Sequence, residues 1–264
     1  MVYEIRSSEK TNQLFENWDE TIVWSALQGI MGKMYVTDPV NPCSAIIISG
    51  DFCFLAGLES RELACCESLW NSGGFKIMVP RNAEWERTIE EVYGERARRT
   101  VRYAMKKEKD VFDRRKLEGI VDALSGEYEL RLIDEGIYGQ CRASGWAVDL
   151  VSQFENYEAY KQLGLGIAVL KDGTIVSGAS SYSRYKDGIE IEIDTREDYR
   201  RMGLASVCGA KLILECQERK LYPSWDAQNL WSVALAEKLG YHFSHEYTAY
   251  EVWNSGYSFT GCTG

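Results

Sequence analysis

One short turn of this 264-residue chain combines the residue types and the spacing that bind an anion. Before the turn, Ile189, Ile191 and Ile193 alternate with acidic residues, which is the period of a β-strand with two unlike faces. After it, small and apolar residues follow a helical pattern. The first N–H groups of a helix have no intrahelical partner, and the helix dipole favours negative charge there. The turn therefore predicts a phosphate-binding site, and an ordinary tight turn before a helix is the alternative.

The turn is basic and contains one glycine. It reads Arg200, Arg201, Met202, Gly203, Leu204 and Ala205. A second block follows one helix later, where Trp225 and Asp226 precede Asn229 and an apolar helical run that ends at Gly240. In this order the two blocks resemble the acyl-CoA-binding motifs of the GNAT superfamily of N-acetyltransferases. The second block is most similar to the branch that includes the zwittermicin A resistance acetyltransferases.

The resemblance implies acetyl-CoA as the cofactor and assigns its pyrophosphate to the turn. The backbone N–H groups from Arg201 to Ser206 would form the phosphate cradle, and the guanidinium groups of Arg200 and Arg201 would add charge. Gly203 would let the backbone approach the phosphates without a Cβ in the way.

Contacts to the pantetheine arm follow from the same resemblance. Ile193 and Thr195 would bond the arm through their backbone groups, as if the cofactor were an added strand where two strands splay apart. Asn229 matches the family's pantetheine-facing asparagine, with a helix N-cap as the alternative. Ser232 lies near the same helix start and is a further candidate contact.

Transfer to an amine needs a base for the ammonium proton and an acid for the thiolate leaving group. Glu192 and Glu190 share the strand face opposite the isoleucines, and Glu192 lies nearer the expected thioester. We predict Glu192 as the base and Glu190 as the alternate, and a paired surface carboxylate is the alternative for each. Many family members place a tyrosine acid in the last helix, where this chain has Ala236. Tyr241 and Tyr247 have no further support, so the acid stays unassigned.

Trp225 and Asp226 are the candidate substrate contacts. Asp226 would charge an acceptor pocket and Trp225 would form its wall. Core packing explains a tryptophan at this position equally well.

The composition argues against several classes of partner. A net charge of -10 argues against nucleic-acid binding, which depends on a basic surface, and is compatible with a cationic small molecule. The eight cysteines form no Cys-x-x-Cys pair and there are only two histidines, so we expect no metal site. The sequence shows no signal-peptide pattern and no apolar run near the roughly 20 residues of a membrane span. We therefore expect a cytoplasmic protein with reduced thiols.

The pattern along the chain predicts an α/β fold of the α+β kind. Residues 1–40 read as helical, residues 45–49 and 52–56 as a hairpin, and residues 144–163 as a helix. A second hairpin is expected over residues 166–180, around an Asp-Gly turn. The resemblance implies a C-terminal GNAT acyltransferase fold with a mixed, splayed central sheet, preceded by a smaller α/β domain.

We place the domain boundary at Ser125-Gly126, which gives an N-terminal domain of residues 1–125 and a GNAT domain of residues 126–264. The two predicted hairpins have similar turns, so the first half is either a degenerate GNAT-like copy or an unrelated fold. It has no counterpart of the basic turn, so we assign it no cofactor. It would cover the acceptor side of the cleft.

The sequence predicts an acetyl-CoA-dependent N-acetyltransferase that acts on a primary amine of a small molecule by direct attack of the amine on the thioester. The resemblance to the zwittermicin A resistance branch points to an amino-polyol antibiotic as the acceptor. The alternatives are a non-catalytic acyl-CoA-binding sensor, which the missing tyrosine favours, and a protein or peptide N-acetyltransferase. No nucleic-acid or membrane partner is expected, and both a monomer and a homodimer stay open.

Overall fold

The computed structural model describes residues 1–71 and 73–255, and the chain divides into two compact units. The first unit contains residues 1–102 together with the chain from Tyr247 onward, and the second contains residues 103–246. The divisions fall within two strands, so each of these strands contributes residues to both units.

Short helices and strands alternate through the first unit. In chain order they are β1 (Tyr3–Ile5), α1 (Glu9–Leu14), α2 (Thr21–Leu27), β2 (Lys33–Val36), β3 (Ser44–Ser49), β4 (Phe52–Gly57), α3 (Arg61–Ala64), β5 (Phe75–Pro80), α4 (Ala83–Tyr93) and β6 (Ala97–Met105). Strands β1 to β4 pair antiparallel in sequence order, and β5 adds parallel to β4. Leu55, Met78 and Trp85 are fully buried in the core of this unit.

The second unit is built around a five-stranded sheet. Its elements are α5 (Arg114–Asp122), β7 (Glu129–Leu132), α6 (Glu135–Ala143), α7 (Tyr157–Leu163), β8 (Gly166–Lys171), β9 (Thr174–Tyr185), β10 (Gly188–Thr195), α8 (Leu204–Glu218), β11 (Tyr222–Ser224), β12 (Asp226–Ala227), α9 (Leu230–Leu239) and the start of β13 (Phe243–Trp253). The strand order is β11-β10-β9-β8-β7, and of these pairs only β10 with β11 is parallel. The mixed sheet therefore agrees with the predicted fold class.

The long helix α8 supplies most of the core beneath this sheet. Its residues are small or apolar and largely buried, and the isoleucine face of β10 belongs to the same cluster. Gly209 permits close packing here: a Cβ at this position would lie 2.7 Å from the Leu239 side chain and 3.3 Å from that of Ile193. Helices α8 and α9 and strand β10 are thus held together with little free volume.

The same order of elements occurs twice in the chain. Each half has a strand, two helices, three antiparallel strands, a helix, a parallel strand, a helix and a last strand. This repetition supports the interpretation of the first half as a degenerate GNAT-like copy.

The last strand of each half pairs within the unit built mainly from the other half. Strand β13, from the C-terminal half, pairs with β5 from Tyr250↔Met78 to Trp253↔Phe75. Strand β6, from the N-terminal half, pairs with β12 through Asp226↔Ala104. The two halves of the sequence therefore exchange their last strands.

Two sequence expectations are wrong. Residues 1–40 are not helical throughout, because β1 and β2 flank the helices and β2 is held by pairing with β3, a partner that local periodicity does not detect. The helix expected over residues 144–163 is limited to α7, since α6 already ends at Ala143 and the chain between the two helices is irregular apart from one short turn at Val148–Leu150. Asp134 and Asn156 cap these helices by accepting hydrogen bonds of 2.9 Å from the N–H groups of Ile137 and Ala159. The two hairpins are confirmed.

Helix α5 is part of the second compact unit, which begins at Tyr103. Asp113 caps the helix, and Leu117 is fully buried in the same cluster as α8 and β10. The predicted boundary near residue 125 concerns domains that fold independently, and it stays a prediction.

Among the residues that the structure describes, no helix is both long enough and apolar enough to cross a membrane. The described cysteines are free thiols. The eighth cysteine, Cys262, lies outside the described residues.

Truncating Leu117 tests whether α5 belongs to the core of the second unit. Leu117→Ala should lower the free energy of unfolding by about 2–5 kcal/mol, because the lost methyl groups leave a cavity in close-packed surroundings. Leu58→Ala is the matched control, since Leu58 is exposed, and should change it by about 0.5 kcal/mol or less. Urea unfolding followed by circular dichroism measures both variants, and an equally small loss in the two would show that α5 adds little to the core.

Candidate active site

Strands β10 and β11 run parallel only at their beginning. They pair from Gly188↔Tyr222 to Glu190↔Ser224, and beyond this point β11 ends and β12 pairs with β6 instead. In the described part of the chain, the edge of β10 from Ile191 to Thr195 therefore has no strand partner on this side. Exposed backbone groups on a strand edge can pair with an extended ligand. The opening is the splay that the family resemblance implied.

Trp225 lies where the two strands diverge. It is only 5% exposed and its ring packs edge-on against Tyr241, with centroids 5.4 Å apart. Its indole N–H donates to the hydroxyl of Ser232 at 3.1 Å. Trp225 is thus a core residue that stabilises the divergence of the strands.

The N-terminus of α8 follows directly after the open edge of β10. Gly203 is the N-cap residue, with a left-handed φ of 83°, and no side chain caps the helix. The amide groups of Leu204, Ala205 and Ser206 have no hydrogen-bond partner among the described residues. Most other helices are capped by a side chain: Ser8, Ser60, Asn82, Asp113, Asp134, Asn156 and Asn229. The α8 terminus is therefore left open to an anion.

Positive side chains gather at this helix end. Arg200 and Arg201 precede it and are exposed, and Arg200 donates to the Thr195 carbonyl at 3.3 Å. Lys238 donates to the hydroxyl of Ser206 at 3.0 Å. Within residues 1–71 and 73–255, none of these three cations forms an ion pair with a carboxylate. In a chain of net charge -10, such a cluster is an electrostatic match for a phosphate.

Arg201 has a left-handed backbone, with φ of 63°. A non-glycine residue in this region is strained, and such strain is often found at binding sites.

Acidic side chains occupy the face of β10 that points away from α8. Glu190 is buried at 5% exposure, whereas Glu192 and Asp194 are half-buried. Burial raises the pKa of Asp194 above its ordinary value and the charge of Asp149 adds to this, although the Thr195 N–H and Arg200 act in the opposite direction. The strand thus presents carboxylates that a cationic partner would stabilise.

Glu192 lies directly across the sheet from Ser180. The hydroxyl of Ser180 shares a hydrogen bond of 2.9 Å with the buried hydroxyl of Tyr160. This hydrogen bond holds the Ser180 hydroxyl in position on β9, the strand next to Glu192.

The other predicted cofactor residues have defined partners. Asn229 caps α9, accepting from the Ser232 N–H at 2.9 Å, as its alternative interpretation predicted. The hydroxyl of Thr195 shares a hydrogen bond of 2.7 Å with Ser177, its N–H donates to the Asp194 side chain at 2.6 Å, and its carbonyl accepts from Arg200. Ile193 packs partly against the core. Met202 is exposed in the turn.

The structure defines the surroundings of several residues considered for the general acid. Ala236 is fully buried, and Tyr241 is buried with its hydroxyl donating to the Pro223 carbonyl at 2.7 Å. Burial holds the pKa of Tyr241 well above its usual value. Asp226 is half-buried in β12. None of these observations assigns the general acid.

Two residues near the site were not predicted from the sequence. Asp194 continues the alternation of Glu190 and Glu192, so the strand pattern contained the signal. Lys238 is distant from Ser206 in sequence, and only the packing of α9 on α8 brings them together.

The comparisons with known proteins agree with this geometry. A family model described as GNAT acetyltransferase matches residues 12–250. An uncharacterized N-acetyltransferase, YdfB, from Bacillus subtilis strain 168 is 35% identical over 123 residues, which cover 46% of this chain and 47% of that protein. The chain thus spans about half the length of this curated relative.

Solved structures resemble the chain over more of its length. A GCN5-related N-acetyltransferase-like protein from Streptococcus suis 89/1591 is 47% identical, with a TM-score of 0.87 over 92% of this chain and 97% of that one. A tandem GNAT protein from the clavulanic acid biosynthesis pathway shares the fold alone, at 10% identity and a TM-score of 0.51 over 98% of this chain and 99% of that one. With the splayed strands, the open helix end and a family model matched over nearly the whole chain, this protein belongs to the GNAT acetyltransferase family and is an acyltransferase.

Proposed function

We propose that this protein transfers an acetyl group from acetyl-CoA to a primary amine of a small molecule. The observation that carries the proposal is the divergence of β10 and β11, which leaves an open strand edge leading to the uncapped start of α8. An extended arm that ends in a diphosphate has the shape and charge to occupy both features.

The residues at the open helix end fit acetyl-CoA. An added Cβ at Gly203 would have no heavy atom within 4 Å, so the space beside the turn is free. The amide groups of residues 201–206 would hold the diphosphate, with Arg200 and Arg201 nearby. The backbone of Ile193 would pair with the pantetheine arm, and that of Thr195 would do so in exchange for its hydrogen bonds with Asp194 and Arg200. Bound acetyl-CoA would supply the activated acyl group.

The corresponding place in the first half does not offer such a site. Strands β4 and β5 stay paired through Leu55↔Pro80, so they do not splay as β10 and β11 do. Helix α3 is a single turn, and the hydroxyl of Ser60 accepts from the Leu63 N–H at its start. These contacts support one cofactor per chain.

The acceptor would approach the carboxylate face of β10. An ammonium group is attracted to Glu192 and Asp194, and Glu192 would take its proton before attack, with Glu190 as the alternate. Asp226 would add charge to the pocket, and Trp225 would shape it from the core. The sequence similarity to the zwittermicin A resistance branch supports an amino-polyol antibiotic as the acceptor. The reduced cysteines expected from the sequence support a cytoplasmic location.

Substitution of Gly203 tests the cofactor site. Acetyl-CoA should raise the melting temperature of the parent protein by mass action. Gly203→Glu should weaken acetyl-CoA binding by at least about ten-fold, because a carboxylate would face the phosphates at the helix start. Differential scanning fluorimetry with increasing acetyl-CoA measures the effect.

Gly173→Glu is the matched control for this experiment. Gly173 also has a left-handed φ, 77° against 83° for Gly203, and an added Cβ would likewise meet nothing within 4 Å. Both variants place glutamate at a left-handed φ and are therefore strained to a similar degree. Gly173 lies in the β8–β9 turn, away from the proposed cofactor site, so its variant should keep the parental response to acetyl-CoA. Equal responses in the two variants would contradict the assignment of the cofactor to the α8 turn.

Glu192→Gln tests the proposed base. Loss of a general base typically slows turnover 10²–10⁴-fold, so kcat at neutral pH should fall by about that factor while acetyl-CoA binding changes little. The loss should shrink at high pH, where the amine arrives already deprotonated. Glu190→Gln should be milder. A Glu192→Gln enzyme with parental kcat across the pH range would leave Glu192 with a structural role only.

Asp194→Asn tests whether the protein holds a carboxylate here at a cost in stability. The folded-state pKa of Asp194 is raised, so its ionised form destabilises the fold at neutral pH. The variant should therefore melt at a higher temperature than the parent near pH 7. This gain should disappear as the pH falls below the ordinary aspartate range, where both states are protonated. The apparent KM for the amine should rise, and a lower melting temperature at pH 7 would contradict the prediction.

Release of free CoA separates the proposed enzyme from the alternatives. A panel of small amines, amino-polyols and peptides with acetyl-CoA should release CoA with a small amine. Binding without release would support the acyl-CoA sensor, and release only with peptides would support the peptide acetyltransferase.

A further inference from the structure

Lys238 connects two helices at the start of α8. It lies in the last turn of α9, and its ammonium group donates to the hydroxyl of Ser206 at 3.0 Å. Ser206 is in the first turn of α8 and is only 6% exposed. The lysine thus brings a charge from a different element to the helix end where the unpaired amide groups lie.

This placement is electrostatically unfavourable without an anion. The N-terminus of a helix carries partial positive charge, so a cation beside it is repelled by the dipole. Arg200 and Arg201 add further positive charge at the same end. Among the described residues, no carboxylate pairs with Lys238 to compensate.

The ordinary explanation for Lys238 is stabilisation of the C-terminus of its own helix, where a cation is favoured. The structure gives this explanation little support, because two of the last four carbonyl groups of α9 already have partners. The Gly240 N–H donates to the carbonyl groups of Ala236 and Glu237, both at 3.1 Å. The hydrogen bond of Lys238 goes to α8 instead.

We propose that Lys238 binds the diphosphate of CoA, held in position by Ser206. The inference rests on the proposed function and adds a residue from α9 to the phosphate cradle. We assign the diphosphate, rather than the 3′-phosphate, because Ser206 belongs to the helix turn whose amide groups form that cradle. When the diphosphate is present, Lys238 and the two arginines neutralise it from two sides.

Isothermal titration with two ligands tests the assignment. Lys238→Met should weaken the binding of CoA and of 3′-dephospho-CoA by a similar factor, roughly ten-fold, as expected for one charge-assisted hydrogen bond. Lys238→Arg should keep most of the affinity, because it keeps the charge. Without ligand, Lys238→Met should melt within about 2 °C of the parent.

Lys116→Met is the matched control. Lys116 is likewise an exposed helical lysine, and it forms no ion pair within the described residues. It lies on α5, in the first turn after the Asp113 cap. Its loss removes the same charge from the protein and should leave the affinity for both ligands unchanged.

The outcomes separate this inference from the proposed function. A parent protein that fails to bind CoA would contradict the proposed function itself. A parent that binds, with Lys238→Met equal to it, would overturn the inference alone. A loss for CoA but not for 3′-dephospho-CoA would move the contact to the 3′-phosphate and overturn the diphosphate assignment. A large fall in melting temperature that Lys238→Arg does not restore would make Lys238 structural.

Discussion

The site depends on a pair of parallel strands that stay hydrogen-bonded only from Gly188↔Tyr222 to Glu190↔Ser224. Past this point, the backbone of β10 needs another partner, because unpaired peptide groups are costly when they are removed from water. The surrounding core prevents the strands from closing the gap. Trp225 is buried at the divergence, and close packing at Gly209 holds α8 and α9 against β10. The opening is therefore part of the rigid fold.

Strand β10 has negative charge on one face and positive charge at its end. An enzyme that binds two substrates of opposite charge would need one such place for each. Carboxylates line one face of β10, and cations surround the turn at its end. An anionic donor and a cationic acceptor would thus be attracted to neighbouring but distinct places. The chain as a whole is acidic, so the cationic turn is a local exception. The net charge of the whole chain does not reveal it.

Features that depend on local chemistry were predictable from the sequence. The basic turn, both hairpins and the cap at Asn229 each follow from a few neighbouring residues. Features that depend on distant partners were not. Strand β2 forms because β3 pairs with it, and Lys238 reaches Ser206 only through the packing of two helices. The exchange of last strands leaves no local signal, since β6 and β13 look like ordinary strands in the sequence.

That exchange has a consequence for the order in which the protein can be completed during synthesis. Residues 1–102 emerge from the ribosome first, but the partner of β5 on its outer side is β13, near the end of the chain. Until about residue 253 is available, β5 presents an unpaired and largely apolar edge. Such edges promote association between chains, and the pairing that closes this one has a very large sequence separation, which slows folding. The N-terminal unit therefore cannot be completed before the end of the C-terminal half has been made.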